Sequence, residues 1–181
     1  LETSNVGVEN EQKFIANLSK TSFWNELEYL NFHFVSLQAK LIGLECLPQN
    51  LKMLEFTLKQ PSNGQIAKMV SNLKENELKN MYVEELKIHY SNNDDYTDDF
   101  EQLLLLFPNL RKLIIYGMHQ HLKPFKIKNN LNELEIKCES LENEFINELI
   151  NSPTLTSVYV HTGRRFIKWK KEGRIYAQFR I

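Results

Sequence analysis

The chain is poor in most of the features that announce a chemistry. It has two cysteines, six glycines and five prolines in 181 residues, which excludes a disulfide scaffold and leaves little room for long linkers. No apolar run approaches the ~18 residues needed to span a bilayer; the longest is 103–107. A positively charged and then apolar leader is missing from the start. The chain begins with Leu rather than Met, as expected of a portion excised from a longer protein. There is no Gly-rich phosphate loop, no G-x-S-x-G and no H-E-x-x-H, so nothing positive supports an enzyme and we expect none. Neither sign of charge dominates: the net charge is −1, with 42% hydrophobic and 25% charged residues, the composition of a folded domain.

What the sequence does have is a repeat. Residues 107–116 read F-P-N-L-R-K-L-I-I-Y, and Leu110, Leu113 and Ile115 set an L-x-x-L-x-L spacing whose last positions alternate as in a strand. Copies follow at Leu51, Leu54 and Phe56; at Leu131, Leu134 and Ile136; and at Leu155, Val158 and Val160. Two more are Leu27, Leu30 and Phe32, and Val83, Leu86 and Ile88; a degraded copy at Thr3, Val6 and Val8 opens the chain. The starts step by 24, 24, 32, 27, 21 and 24 residues. One copy is weak support, since any amphipathic strand can produce it; six or seven at a near-constant period are strong.

On these residues the chain resembles the leucine-rich repeat superfamily, whose period is about 20–29 residues. The irregular steps look more like its ribonuclease-inhibitor-like and F-box-associated members. One departure is that the Asn or Cys usual after the strand is mostly absent, Cys138 coming nearest. The resemblance implies an α/β fold: a leucine-rich-repeat solenoid over 1–161 with a curved parallel sheet and helices on the convex side. It also implies a substrate- or partner-recognition arm, for instance in an F-box-type ubiquitin ligase subunit.

Helical spacing predicts helices in the returns 9–19, 36–47, 63–79, 97–106 and 141–151. Pro124 and the short step argue for an extended or 3₁₀ return over 117–130. After the last repeat, Phe166 and Lys168 alternate with Ile167 and Trp169, then Ile175, Ala177, Phe179 and Ile181 continue. We read 162–181 as an antiparallel β-meander that caps the open end of the same domain.

The candidate binding surface is the set of outward positions on the strands. One column holds Tyr29, Met53, Glu85, Lys112, Glu133 and Ser157. The next holds Asn31, Glu55, Lys87, Ile114, Glu135 and Tyr159. The third holds His33, Thr57, His89, Tyr116, Lys137 and His161. Aromatic, His and Met side chains among mixed charge suit a protein partner, and the plainer account is a solvated sheet. His33 and His89 fall two strands apart, about 10 Å, too far to share one ion at about 2 Å, so we expect neither metal nor other cofactor. Within 163–181, Arg164, Arg165, Lys168, Lys170, Lys171, Arg174 and Arg180 face only Glu172, a net +6 among aromatics. Such a hairpin can hold nucleic acid; the plainer account, aromatics inward and cations in water, is preferred. An acidic run, Asp94, Asp95, Asp98, Asp99 and Glu101, fits a helix start better than a calcium loop. Cys46 and Cys138 belong to different repeats, too far apart for a disulfide. Reduced thiols favour cytoplasm or nucleus, and the expected partner is a protein, with no membrane.

Overall fold

The structure, a computed structural model, describes residues 2–3, 13, 16–32, 47–58, 82–90, 101, 104–127, 130–163, 165–171 and 174–179. Nine strands form one sheet in sequence order. They are β1 (Glu2–Thr3), β2 (Tyr29–Phe32), β3 (Met53–Leu58), β4 (Glu85–Tyr90), β5 (Lys112–Leu122), β6 (Glu133–Leu141), β7 (Ser157–His161), β8 (Arg165–Lys170) and β9 (Arg174–Phe179). Pairings from β1 to β7 are parallel, and β7–β8 and β8–β9 are antiparallel. The chain is thus a solenoid that ends in a hairpin.

The repeat acts through alternation. Leu30, Leu54, Leu86, Leu113, Leu134 and Val158 are register partners from strand to strand, as are Phe56, Ile88, Ile115, Ile136 and Val160. All are buried in one apolar cluster. A two-residue period sends every second side chain to the same face, and stacking makes one core from faces no repeat could bury alone. Full burial of one such Leu stabilises the fold by about 1.5–3 kcal/mol.

The leading Leu of three copies sits at a turn. Leu27, Leu51 and Leu110 donate backbone N–H bonds to the carbonyls of Trp24, Pro48 and Phe107, three residues earlier. These three turn residues are themselves buried. One residue beyond the Leu, the carbonyls of Glu28, Lys52, Glu84, Arg111 and Asn132 each accept two successive N–H groups of the next repeat. That clamp holds the register before each strand begins, so a one-residue slip, which would turn the apolar column outward, is resisted.

Helix is sparse among the described residues. A 3₁₀ helix, Ser22–Glu26, was not foreseen; it buries Trp24. One α-helix, α1 (Asn143–Ile150), lies in the predicted return 141–151, with Glu144 in its first turn, where the helix dipole favours an acid. Its Phe145, Ile146 and Leu149 join the core, and Phe125 meets Phe145 edge-on at 5.1 Å. Residues 16–18 are helical within the predicted return 9–19, and Glu101 and Leu104 within 97–106. The predicted helices 36–47 and 63–79 lie outside the described residues apart from Leu47.

Three expectations need correction. Thr3 pairs with Phe32, whereas the degraded first copy would have put Val8 there. The register is thus shifted by five residues from the one that copy implied. Second, β5 does not stop at Tyr116: it runs on to Leu122 and, past an irregularity between Gly117 and His121, pairs Leu122 with Leu141 of a likewise extended β6. Of the extended or 3₁₀ return expected over 117–130, residues 117–122 are strand, and 123–127 and 130 are neither strand nor helix. Third, Cys138, the nearest candidate for the Asn or Cys usual after the strand, lies inside β6.

Candidate functional site

The backbone register assembles the outward columns as the sequence ordered them. Tyr29, Met53, Glu85, Lys112, Glu133 and Ser157 are successive partners; so are Asn31, Glu55, Lys87, Ile114, Glu135 and Tyr159; and so are Thr57, His89, Tyr116, Lys137 and His161. His33 lies outside the described residues. Successive members of a column lie about 4.8 Å apart across the strands and adjacent columns about 6.8 Å apart along them, so contacts run diagonally as well as sideways.

Exposure is uneven across the face. At its β2–β4 end, Asn31 and Glu55 are each only 5% exposed. Glu55 is the hub. Its Oε2 accepts the Tyr29 hydroxyl at 2.8 Å, and its Oε1 lies 2.9 Å from Lys87 Nζ and 2.7 Å from His89 Nε2. Burial pushes the Glu55 carboxyl up, but hydrogen bonds from Lys87, Tyr29 and His89 outweigh it and hold the carboxyl below its usual range. For Lys87, burial pulls the amine down and the Glu55 hydrogen bond and charge more than restore it, leaving it raised. Tyr29 is raised by burial and by its bond to Glu55. A buried carboxylate held by three donors is costly to strip of any one of them. Asn31 Oδ1 is the buried side-chain acceptor that finds no partner among the described residues.

Towards β8 the face changes character. Tyr116 stands between two ammonium groups, Lys87 Nζ at 5.3 Å and Lys137 Nζ at 4.7 Å from its ring centroid, and stacks at a tilt on His89 at 4.9 Å. Lys137 also lies 5.8 Å from the Tyr159 ring and 3.0 Å from Glu135. Burial lowers its amine, but the Glu135 hydrogen bond and charge raise it further. Cations over aromatic faces attract through the ring quadrupole, by about 0.5–1 kcal/mol at exposed sites. Tyr159 meets Phe166 edge-on at 4.8 Å, and His161 approaches the same ring at 6.2 Å.

That last contact corrects the reading of the hairpin. Ile167 and Trp169 pack on the core, as the inward-aromatic account requires, but Phe166 lies on the opposite face with Tyr159 and His161. Register pairs Lys168 with Tyr159 and Lys170 with Ser157, so both lysines belong to the sheet face and not to a separate surface. Both are exposed. Arg165 contributes backbone to β8, and Arg164 lies outside the described residues.

The described residues also outline a groove of about 720 Å³ along the edge where the strands begin, lined by Asn50, Asn109, Asn130 and Asn132 among others. There Glu28, Lys52, Glu84 and Arg111 alternate in sign from repeat to repeat, and Lys52 meets Glu28 at 2.6 Å. With three acids (Glu26, Glu28 and Glu84) against two cations (Lys52 and Arg111), the described lining of this edge is of mixed charge, and Tyr82 is the one ring in it. Among the described residues no group of His, Cys, Asp and Glu is placed to hold a metal ion, and no helix is long and apolar enough to cross a membrane. Cys138 is a free, buried thiol pushed up to about 11 by burial, hence a poor nucleophile at neutral pH; Cys46 is outside the described residues.

Compared with known proteins, the chain matches no protein-family model, no curated protein and no solved structure.

Proposed function

We infer that the chain is a non-catalytic protein-interaction module of the leucine-rich-repeat kind, with the outward sheet face as its binding surface. The observation that carries this reading is the aromatic and cationic band from His89 through Tyr116 and Lys137 to Tyr159 and Phe166. Rigid aromatic rings with polar tips are the usual anchors of protein interfaces, and here they stand half-buried on strands rather than on loops. The repeat periodicity supports the leucine-rich-repeat assignment and, with it, helical returns on the convex side. The resemblance extends the reading to a substrate-recognition arm of an F-box-type ubiquitin ligase subunit in cytoplasm or nucleus. That extension rests on the repeat pattern alone, and it requires an adaptor segment such as an F-box.

Affinity capture with the chain as bait, beside a variant with His89, Tyr116 and Tyr159 changed to Ala, tests the reading. A protein partner held by the first and lost by an equally folded second supports it. Equal retention by both removes the function from the face. A second reading, nucleic acid along the hairpin, is favoured by exposed Lys168 and Lys170 beside Phe166. It requires affinity that falls steeply with salt.

A further inference from the structure

The face offers its charge unevenly. Lys87 is held by Glu55, Lys112 by Glu85 at 3.1 Å, and Lys137 by Glu135, so the cations of β4, β5 and β6 are answered within the sheet. On β8, Lys168 and Lys170 are exposed and make no ion pair among the described residues. Beside them on the same strand and the same face stands Phe166, its ring edge-on to Tyr159. Ring, cation and cation therefore follow one another at every second residue, about 6.8 Å apart along an extended strand.

We propose that the β7–β8 end of the face binds an extended acidic segment of a protein partner, with an apolar side chain against Phe166 and Tyr159 and carboxylates on Lys168 and Lys170. This rests on the reading of the face as a protein-binding surface and names the chemistry of its partner. An extended peptide repeats its side chains at the same two-residue interval as β8, so the matching pattern is apolar-x-acid-x-acid. Charge complementarity sets direction and register, while the ring supplies the desolvated anchor. A nucleic acid is the poorer match. Its phosphates continue in both directions, and β6, two strands from β8, presents Glu133 and Glu135 on the same face. A peptide can confine its charge to the β8 end.

The test is selection of peptides from a displayed random library on the whole chain, on K168E/K170E and on Y116A/Y159A, with a single-stranded oligothymidylate titrated in parallel. Both lysines are exposed, so their reversal leaves the melting temperature unchanged and the variant serves as a folded control. The expected result is enrichment of apolar-x-acid-x-acid peptides on the unaltered chain, with affinity reduced about tenfold or more by the reversal. Peptides that depend on Tyr116 and Tyr159 but carry no acidic pattern, and that ignore K168E/K170E, overturn the inference and leave the protein-binding face standing. No enrichment over a bare surface, or enrichment indifferent to the tyrosines, overturns both. Oligothymidylate binding that the lysine reversal abolishes, without acidic peptides, transfers the site to nucleic acid and overturns it as well.

Discussion

The two ends of one sheet face solve the same problem differently. At β2–β4 the polar side chains turn towards one another: Tyr29, Lys87 and His89 converge on a Glu55 carboxylate that solvent barely reaches. At β7–β8 the side chains turn outward: Tyr159, His161 and Phe166 share edges, and Lys168 and Lys170 stand in solvent. Outward position on a strand is therefore not equivalent to availability. A polar group that its neighbours already satisfy is tied to stability, because removing a partner strands a buried charge. A half-buried ring or a cation in solvent is available to a ligand at little cost to the fold.

The comparison breaks first at Glu55. Changing Glu55 to Ala should lower the unfolding free energy by about 2–4 kcal/mol, since it orphans three donors at once, as read by urea denaturation. Changing Lys168 to Ala should stay within about 0.5 kcal/mol. Equal losses at the two positions would erase the distinction between the ends.

The pH dependence sharpens it. Because the Glu55 carboxyl is lowered in the folded state, its contribution is present above the ordinary carboxyl range and is lost as pH falls through the lowered value. Lys87 and Tyr29 are raised, so their contributions are present below their ordinary values and fade as alkaline pH rises through the folded ones. Denaturation midpoints followed from neutral to acid pH should fall less steeply for Glu55→Gln than for the unaltered chain. Parallel acid limbs would mean that Glu55 is not the hub. Smaller again is the Tyr116 sandwich: Tyr116→Leu keeps bulk but loses two cation–ring contacts, an expected change of about 1 kcal/mol in stability. The smallest effect belongs to Lys112, whose partly exposed bridge to Glu85 should contribute about 0.2–1 kcal/mol, reduced further by salt.

How much of this was legible in the sequence depends on range. Leu113 and Ile115, or Val158 and Val160, declare their inward face within four residues, and the repeat then aligns neighbours such as Lys87, Ile114 and Glu135 without further information. The same logic failed at the first copy, where Val6 and Val8 offered an apolar pair but the backbone pairs Thr3 with Phe32. It could not see that β5 continues past Gly117 to meet β6 again, since no alternation marks that stretch. The burial of Glu55 was hidden for a different reason: its donors come from positions 26 residues before it and 32 and 34 after it, and local pattern assigns it simply to an outward column. A signal existed in the register itself, which sets Glu55 beside Asn31 and Lys87, with Tyr29 and His89 one step along the neighbouring strands. Phe166 was placed inward because aromatics in an amphipathic hairpin usually are; its alternation with Ile167 and Trp169 was the clue that one of the two sets had to face out.

The most direct test of the divided face is hydroxyl-radical footprinting of the aromatic side chains, with and without a captured partner bound. The account predicts protection of Tyr116, Tyr159 and Phe166 on binding, with Tyr29 unchanged. Protection centred on Tyr29, or none on any of the four, would contradict it.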